Sequence, residues 1–267
     1  MSNINFDKLC TELFKLHNDL RKNPISFVPK LHNWLNKFRE NTLYLLNENP
    51  LNTYEGVDAV KEAIDFLRTQ DPVEELTYRN ELAKAANDHA LDIGSHGLTG
   101  HEGSKGSLLI DRIEKYVEWD YTCAENLDFG FKEAENILMN MIVDDGAQDR
   151  NQRMNLFSKD FKFIGIGGAK HINYNYCFVF IYAKGIRDLG QAPNVARNLM
   201  EDYIKKAFYK RLIVNKFQED DPDAPDDTIE VKIVKCRKVI GGKEKKITKK
   251  IYTLKDQSLH IVEIEEN

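Results

Sequence analysis

Two runs past the middle of the chain, Phe161 to Gly168 and Tyr176 to Ala183, are β-branched and aromatic, with a polar turn around Asn173 between them. Neither alternates apolar with polar, so they predict adjacent antiparallel strands buried on both faces. Such a pair needs helices above and below it, and the preceding sequence offers them. Leu9, Leu13, Leu16 and Leu20 recur at helical spacing until Asn23-Pro24. Phe27, Leu31, Trp34, Leu35 and Phe38 mark a second helix, and Val57, Val60, Ile64 and Leu67 a third, closed by Asp71-Pro72. Leu82, Ala86, Ala90 and Ile93 form a stripe whose alanines predict a helix packed tightly on its neighbour. Ile110 to Tyr116 reads as a short helix, and Ala134, Ile137, Leu138, Met141 and Ile142 define a longer one. The expected fold class is α+β: a three-layer α-β-α sandwich with a C-terminal helix and a small antiparallel β-meander.

The C-terminal part has a different character. Pro193 opens a helical pattern through Leu212, and Gln218 to Asp227 is an acidic linker holding two prolines. Three alternating runs follow, with Gly241-Gly242 and Asp256-Gln257 as turns. The expected organisation is 1–186 as the main domain including the N-terminal helices, 187–217 as a helical connector, 218–228 as linker and 229–267 as a basic β-meander. From Lys232 to Lys250 there are nine basic residues and one acid, a local charge of +8 in a chain of net −5. Lys235, Arg237, Lys238, Lys243, Lys245, Lys246, Lys249 and Lys250 are therefore candidate partner-binding residues for an acidic surface: a tubulin lattice, acidic protein tails, RNA or anionic lipid headgroups. They can equally be lysines that keep a strand edge from aggregating. With Tyr252 as the meander's one aromatic, nucleic acid is the unlikely partner.

At 42% hydrophobic and 30% charged residues the chain reads as globular, with no apolar run long enough for a membrane span. Asp7, Lys8, Glu12, Lys15 and Asp19 leave no secretory apolar segment among the first twenty residues, from which an intracellular protein is expected, cytoplasmic or cytoskeletal, with a ciliary assembly as a guess. Cys10, Cys123, Cys177 and Cys236 are far apart and predict free thiols.

Four polar stations interrupt the helical pattern. They are the Gly-rich loop Thr99 to Ser107 with His101 beside Glu102, then Ala124-Glu125-Asn126, Asp144-Asp145-Gly146, and Arg150 to Asn155. His89, inside the alanine-striped helix, is expected to be a packing residue. Trp119, Tyr121 and Phe129 are expected in the core.

The motifs Leu16-His17-Asn18-Asp19-Leu20-Arg21, Leu82 to Ala90, the His101 loop with Asp111-Arg112-Ile113, Ala124-Glu125-Asn126 and Phe163-Ile164-Gly165-Ile166-Gly167 come in a family's order. Over roughly residues 7 to 184 the chain resembles the CAP superfamily of cysteine-rich secretory, antigen 5 and pathogenesis-related proteins, also called the SCP domain. The resemblance implies an α-β-α sandwich and a cleft with two histidines and two acids that holds a divalent metal in some members. Position by position it makes His101 the first histidine, Glu125 the first acid and Asp144 the second, one methylene short of the usual Glu. Where a Gly-His pair is usual, this chain has Asn151-Gln152.

That substitution sets the expectations. Zinc favours nitrogen and sulfur donors in a tetrahedral set, and Gln152 offers a weak amide oxygen. His96 could substitute only if the Gly-rich loop folded back. No metal or other cofactor is expected, with His101 and Glu125 as the weak candidates. A base at His101 needs a nucleophile, and Ser104 and Ser107 lie in no activating motif. His101, Glu125, Asp144 and Gln152 are expected to be a degenerate cleft, a hydrogen-bonded polar cluster without catalysis. The preferred function is a non-enzymatic structural or interaction protein with protein partners. The alternatives are a lipid- or sterol-binding module and a hydrolase using a metal or His101.

Overall fold

A computed structural model describes residues 4–189 together with the strands at 213–215, 228–240, 243–254 and 259–266. The chain divides into two compact units, Met1–Asn194 and Val195–Asn267. The first unit opens with α1 (Phe6–Lys22), whose N-cap Asn5 accepts the Lys8 N–H at 3.0 Å. A 3₁₀ turn (Pro24–Phe27) leads into α2 (Val28–Leu35), followed by three two-residue strands, β1 (Phe38–Arg39), β2 (Thr42–Leu43) and β3 (Leu51–Asn52). Next come α3 (Val57–Thr69), β4 (Thr77–Tyr78), α4 (Asn80–His96), α5 (Leu109–Ile113) and β5 (Glu118–Phe129). The unit ends with α6 (Ala134–Val143), α7 (Asn151–Phe157), β6 (Phe163–His171) and β7 (Asn175–Arg187).

The main sheet has the order β4-β6-β7-β5, with β4 parallel to β6 and the other pairings antiparallel. The two apolar runs are β6 and β7, and β7 is central. Its Phe178, Val179, Phe180, Ile181, Tyr182 and Ala183 are all fully buried, as a strand covered on both faces requires. The fold is α+β with helices on either side of the sheet.

The register sorts the layers. Ile166, Phe180 and Asn126 stand abreast on the face toward α1, α6 and α7, while Gly165, Ile181 and Glu125 stand abreast on the face toward α4. The alanine stripe of α4 meets glycines of β6. A Cβ on Gly165 would lie 2.1 Å from the Ala83 nitrogen, and one on Gly167 2.3 Å from the Asn87 nitrogen. Helix and strand backbones therefore approach as closely as residues without side chains allow. On the other face the His17 imidazole of α1 lies 3.2 Å from the Tyr182 hydroxyl, and burial drives its pKa down to about 3.

Three expectations are corrected. Ala124-Glu125-Asn126, read as a polar interruption between helices, lies in the middle of strand β5. Its polar side chains hid a strand that is covered on both faces there, with Glu125, Asn126, Leu127 and Asp128 all buried. The helix through Phe38 stops at Leu35, and Phe38 belongs to the small sheet β1-β2-β3. Phe129 is not core: it lines the cleft described below. Trp119 is buried as expected, while Tyr121 is only half-buried.

The second unit contains a four-stranded antiparallel sheet of order β11-β10-β9-β8, built from β8 (Ile213–Asn215), β9 (Thr228–Ile240), β10 (Lys243–Leu254) and β11 (Leu259–Glu266). The expected three-stranded meander is thus extended by β8. The helical pattern from Pro193 to Leu212 and the acidic linker through Asp227 lie outside the described residues. No described helix is long and apolar enough to cross a membrane.

Candidate functional site

The Gly-rich loop is wound around one side chain. Arg112, on α5, donates from Nη1 to the Ser107 carbonyl at 2.7 Å and from Nη2 to the His101 carbonyl at 3.0 Å. Its Nη2 also reaches both Glu125 oxygens, at 3.1 and 2.9 Å. The loop is tied to α4 as well, since Asp92 accepts the Ser104 backbone N–H at 2.7 Å and its hydroxyl at 2.5 Å. Gly100 and Gly106, at φ of 111° and 79°, supply the left-handed turns that let the backbone double back.

Glu125 is the centre of the first cluster. Its side chain is 2% exposed, as is that of Arg112, so neither charge is shared with bulk water. His101 Nδ1 lies 2.9 Å from Glu125 Oε1, and the wholly buried His89 Nε2 lies 3.7 Å from the same oxygen. A carboxylate acceptor requires the hydrogen on His101 Nδ1, so the tautomer is fixed and Nε2 is the outer nitrogen. Burial alone would raise the pKa of Glu125. The His101 hydrogen bond and the charge of Arg112 more than offset it and hold the carboxyl below its ordinary value. Burial lowers the pKa of His89, which points Nε2 at the Gly100 carbonyl 3.0 Å away.

The second cluster belongs to the other side of β5. Asp144 caps α6 in a left-handed conformation and accepts the Gln152 backbone N–H at 2.9 Å and its side-chain amide at 3.2 Å. Gln152 Oε1 in turn accepts the Leu127 N–H at 2.9 Å, capping the outer edge of β5. Asn126 donates to the Gln152 carbonyl at 2.8 Å and accepts from Asn155. Burial raises the Asp144 pKa against those Gln152 bonds.

The four residues expected in the cleft are therefore brought near one another, but as two pairs. Glu125 faces α4 and pairs with Arg112 and His101, while Asp144 pairs with Gln152. His101, Asp144 and Gln152 line a cavity of about 890 Å³; Glu125 lies behind it. Ser104 is bound to Asp92, and neither it nor Ser107 lines the cavity. His96 bonds its own helix at the Asp92 carbonyl and does not line it either.

Residue reading missed Arg112 as a site residue. The signal was an arginine eleven positions after His101 on a short apolar helix, where burial demands an acidic partner. It also gave His89 too small a part. Its burial fits a packing role, but it packs against the Glu125 carboxylate.

The chain belongs to the CAP family, described as the cysteine-rich secretory protein family, which matches residues 14–182. An outer surface protein from Borrelia burgdorferi is similar at 20% identity and a TM-score of 0.36, over 42% of this chain and 79% of that one. An extracellular protein containing an SCP domain from Bacillus anthracis str. Ames is similar at 17% identity and a TM-score of 0.36, over 47% of this chain and 38% of that one. No curated protein matches. The expected intracellular, cytoskeletal or ciliary placement is corrected. The family that matches is described as secretory, against that placement. Asp7, Lys8, Glu12, Lys15 and Asp19 all lie in helix α1.

The divalent metal of some relatives does not fit these donors. Both Glu125 oxygens are taken by a guanidinium, both Asp144 oxygens accept from Gln152, and Gln152 Oε1 is spent on Leu127. Among the described residues no group of three or more His, Cys, Asp or Glu is placed to hold an ion.

Removing one partner of the buried pair strands the other's charge. Arg112→Met is expected to cost about 3–5 kcal/mol in chemical denaturation at neutral pH. Arg112→Met combined with Glu125→Gln should cost less than the two single changes added together. Because the folded pKa of Glu125 is depressed, its contribution is complete above the ordinary value of 4.5 and is lost as pH falls through the lower folded value. Full stability in Arg112→Met would contradict the pairing.

Proposed function

We propose that this CAP domain is a non-enzymatic binding and scaffold module. The observation that carries the reading is the closure of Gln152 onto Asp144 and Leu127, which spends the cleft's second acid on a structural bond. A hydrolase needs a nucleophile or an activated water beside the base. The hydroxyl of Ser104 is held by Asp92, and burial raises the thiol of Cys123 to about 12. The cavity remains open, so binding is the activity that geometry supports. Purified protein is expected to turn over p-nitrophenyl acetate and fluorogenic casein no faster than buffer, with no difference in His101→Ala. Turnover that falls in His101→Ala would overturn the reading and favour the hydrolase alternative, which the Glu125-oriented imidazole supports.

The basic strands supply a second contact surface in the same reading. The β9–β10 register sets Lys238 opposite Lys245 and Arg237 opposite Lys246. The nine basic residues against one acid between Lys232 and Lys250 favour an acidic polypeptide as partner. The full chain is expected to bind polyglutamate in low salt and to release it as salt rises. Retained binding in the charge-reversed variant Lys245→Glu, Lys246→Glu would remove these strands from the account.

A further inference from the structure

The cleft's lining identifies a class of ligand. Among the described residues no Lys or Arg lines it, while Asp144 and Asp149 do, so phosphates, sulfates and carboxylates are disfavoured. Its remaining polar groups are mostly amides. Asn49, just ahead of β3, and Asn151, on α7, both line it, and Asn151 gives its amide hydrogen to Asp149 and keeps its carbonyl oxygen as an acceptor. Asn173 does the same through the Gly97 carbonyl at 3.0 Å. His101 adds its outer nitrogen. Amides both donate and accept, which suits hydroxyl groups that do the same.

The apolar part of the lining is a prepared aromatic platform. Tyr174 is 47% exposed in the tight turn between β6 and β7. Its ring lies 5.6 Å from that of Phe129 and 5.2 Å from that of His171. His171 is buried and accepts the backbone N–H groups of Asn173 and Tyr174 on Nδ1, each at 3.2 Å, which leaves Nε2–H to donate to the Leu98 carbonyl at 2.9 Å. A histidine satisfied on both nitrogens thus fixes the turn, so little order is lost when a ligand stacks on Tyr174.

We infer that this cleft binds an uncharged oligosaccharide, its C–H face stacked on Tyr174 and its hydroxyls held by His101 and the surrounding asparagines. The cavity of about 890 Å³ falls within the range of small-ligand sites. The inference rests on the binding-module reading above and names that module's ligand.

The test uses the full chain and a fixed panel: cellotetraose, maltotetraose, chitotetraose and mannotetraose, with a heparin-derived tetrasaccharide as the anionic counterpart. Saturation-transfer NMR and calorimetry are expected to show saturable binding of at least one neutral sugar. Tyr174→Ala should weaken it by about tenfold or more, and Tyr174→Phe, which keeps the ring, should retain it. Thermal unfolding of each variant separates lost binding from lost fold. No binding across the neutral panel, preference for the heparin fragment, or unchanged affinity in folded Tyr174→Ala would overturn the inference and leave the non-catalytic reading standing. Mass spectrometry of the recovered sugar is the second arm: shortened products would overturn the non-catalytic reading while the ligand class stands.

Discussion

A guanidinium and a carboxylate, both shut away from water, meet between α5 and β5, and the rest of the cleft is arranged around them. Arg112 ties both ends of a loop of poor intrinsic order to a strand of the main sheet, through two carbonyls and the two oxygens of Glu125. A buried ion pair is weak evidence of net stability, because desolvation consumes much of the attraction. What it does supply is position. Glu125 fixes the imidazole of His101, and the loop in turn fixes Gly100 over His89.

The cleft departs from its family's pattern at a second pair, where Gln152 closes on Asp144. The strand alternation of β5 sends Glu125 toward α4 and Asn126 toward α6 and α7, so the two acids of the cleft belong to different layers. Here each layer closes on itself, Glu125 with an arginine and Asp144 with a glutamine. Both acids are satisfied by hydrogen bonds within the chain, which is the condition under which buried polar groups persist without a ligand.

Much of this was legible in the sequence, for identifiable reasons. The uninterrupted apolar runs of β6 and β7 could only be covered strands, and the alanines of α4 anticipated the close approach that Gly165 and Gly167 permit. Asn151-Gln152 in the place of Gly-His pointed to a changed cleft before any geometry was known. What escaped notice depended on contacts distant in sequence. Glu125 gave no strand signal because this covered part of β5 carries buried polar side chains, Glu125, Asn126 and Asp128, where a buried strand is expected to be apolar. Arg112 was quoted within a motif, yet its partner lay thirteen residues on and could be found only in space. The platform at Tyr174 was invisible for the same reason, since His171 supports it through backbone groups of a turn.

The account's central claim is that Arg112 and Gln152 occupy the two acids, Glu125 and Asp144, that a divalent ion would need as donors. Zinc titration by calorimetry, followed by elemental analysis after mild chelation, tests it most directly. The account predicts no stoichiometric uptake by the wild-type chain. One equivalent of zinc that survives chelation and disappears in His101→Ala would contradict it.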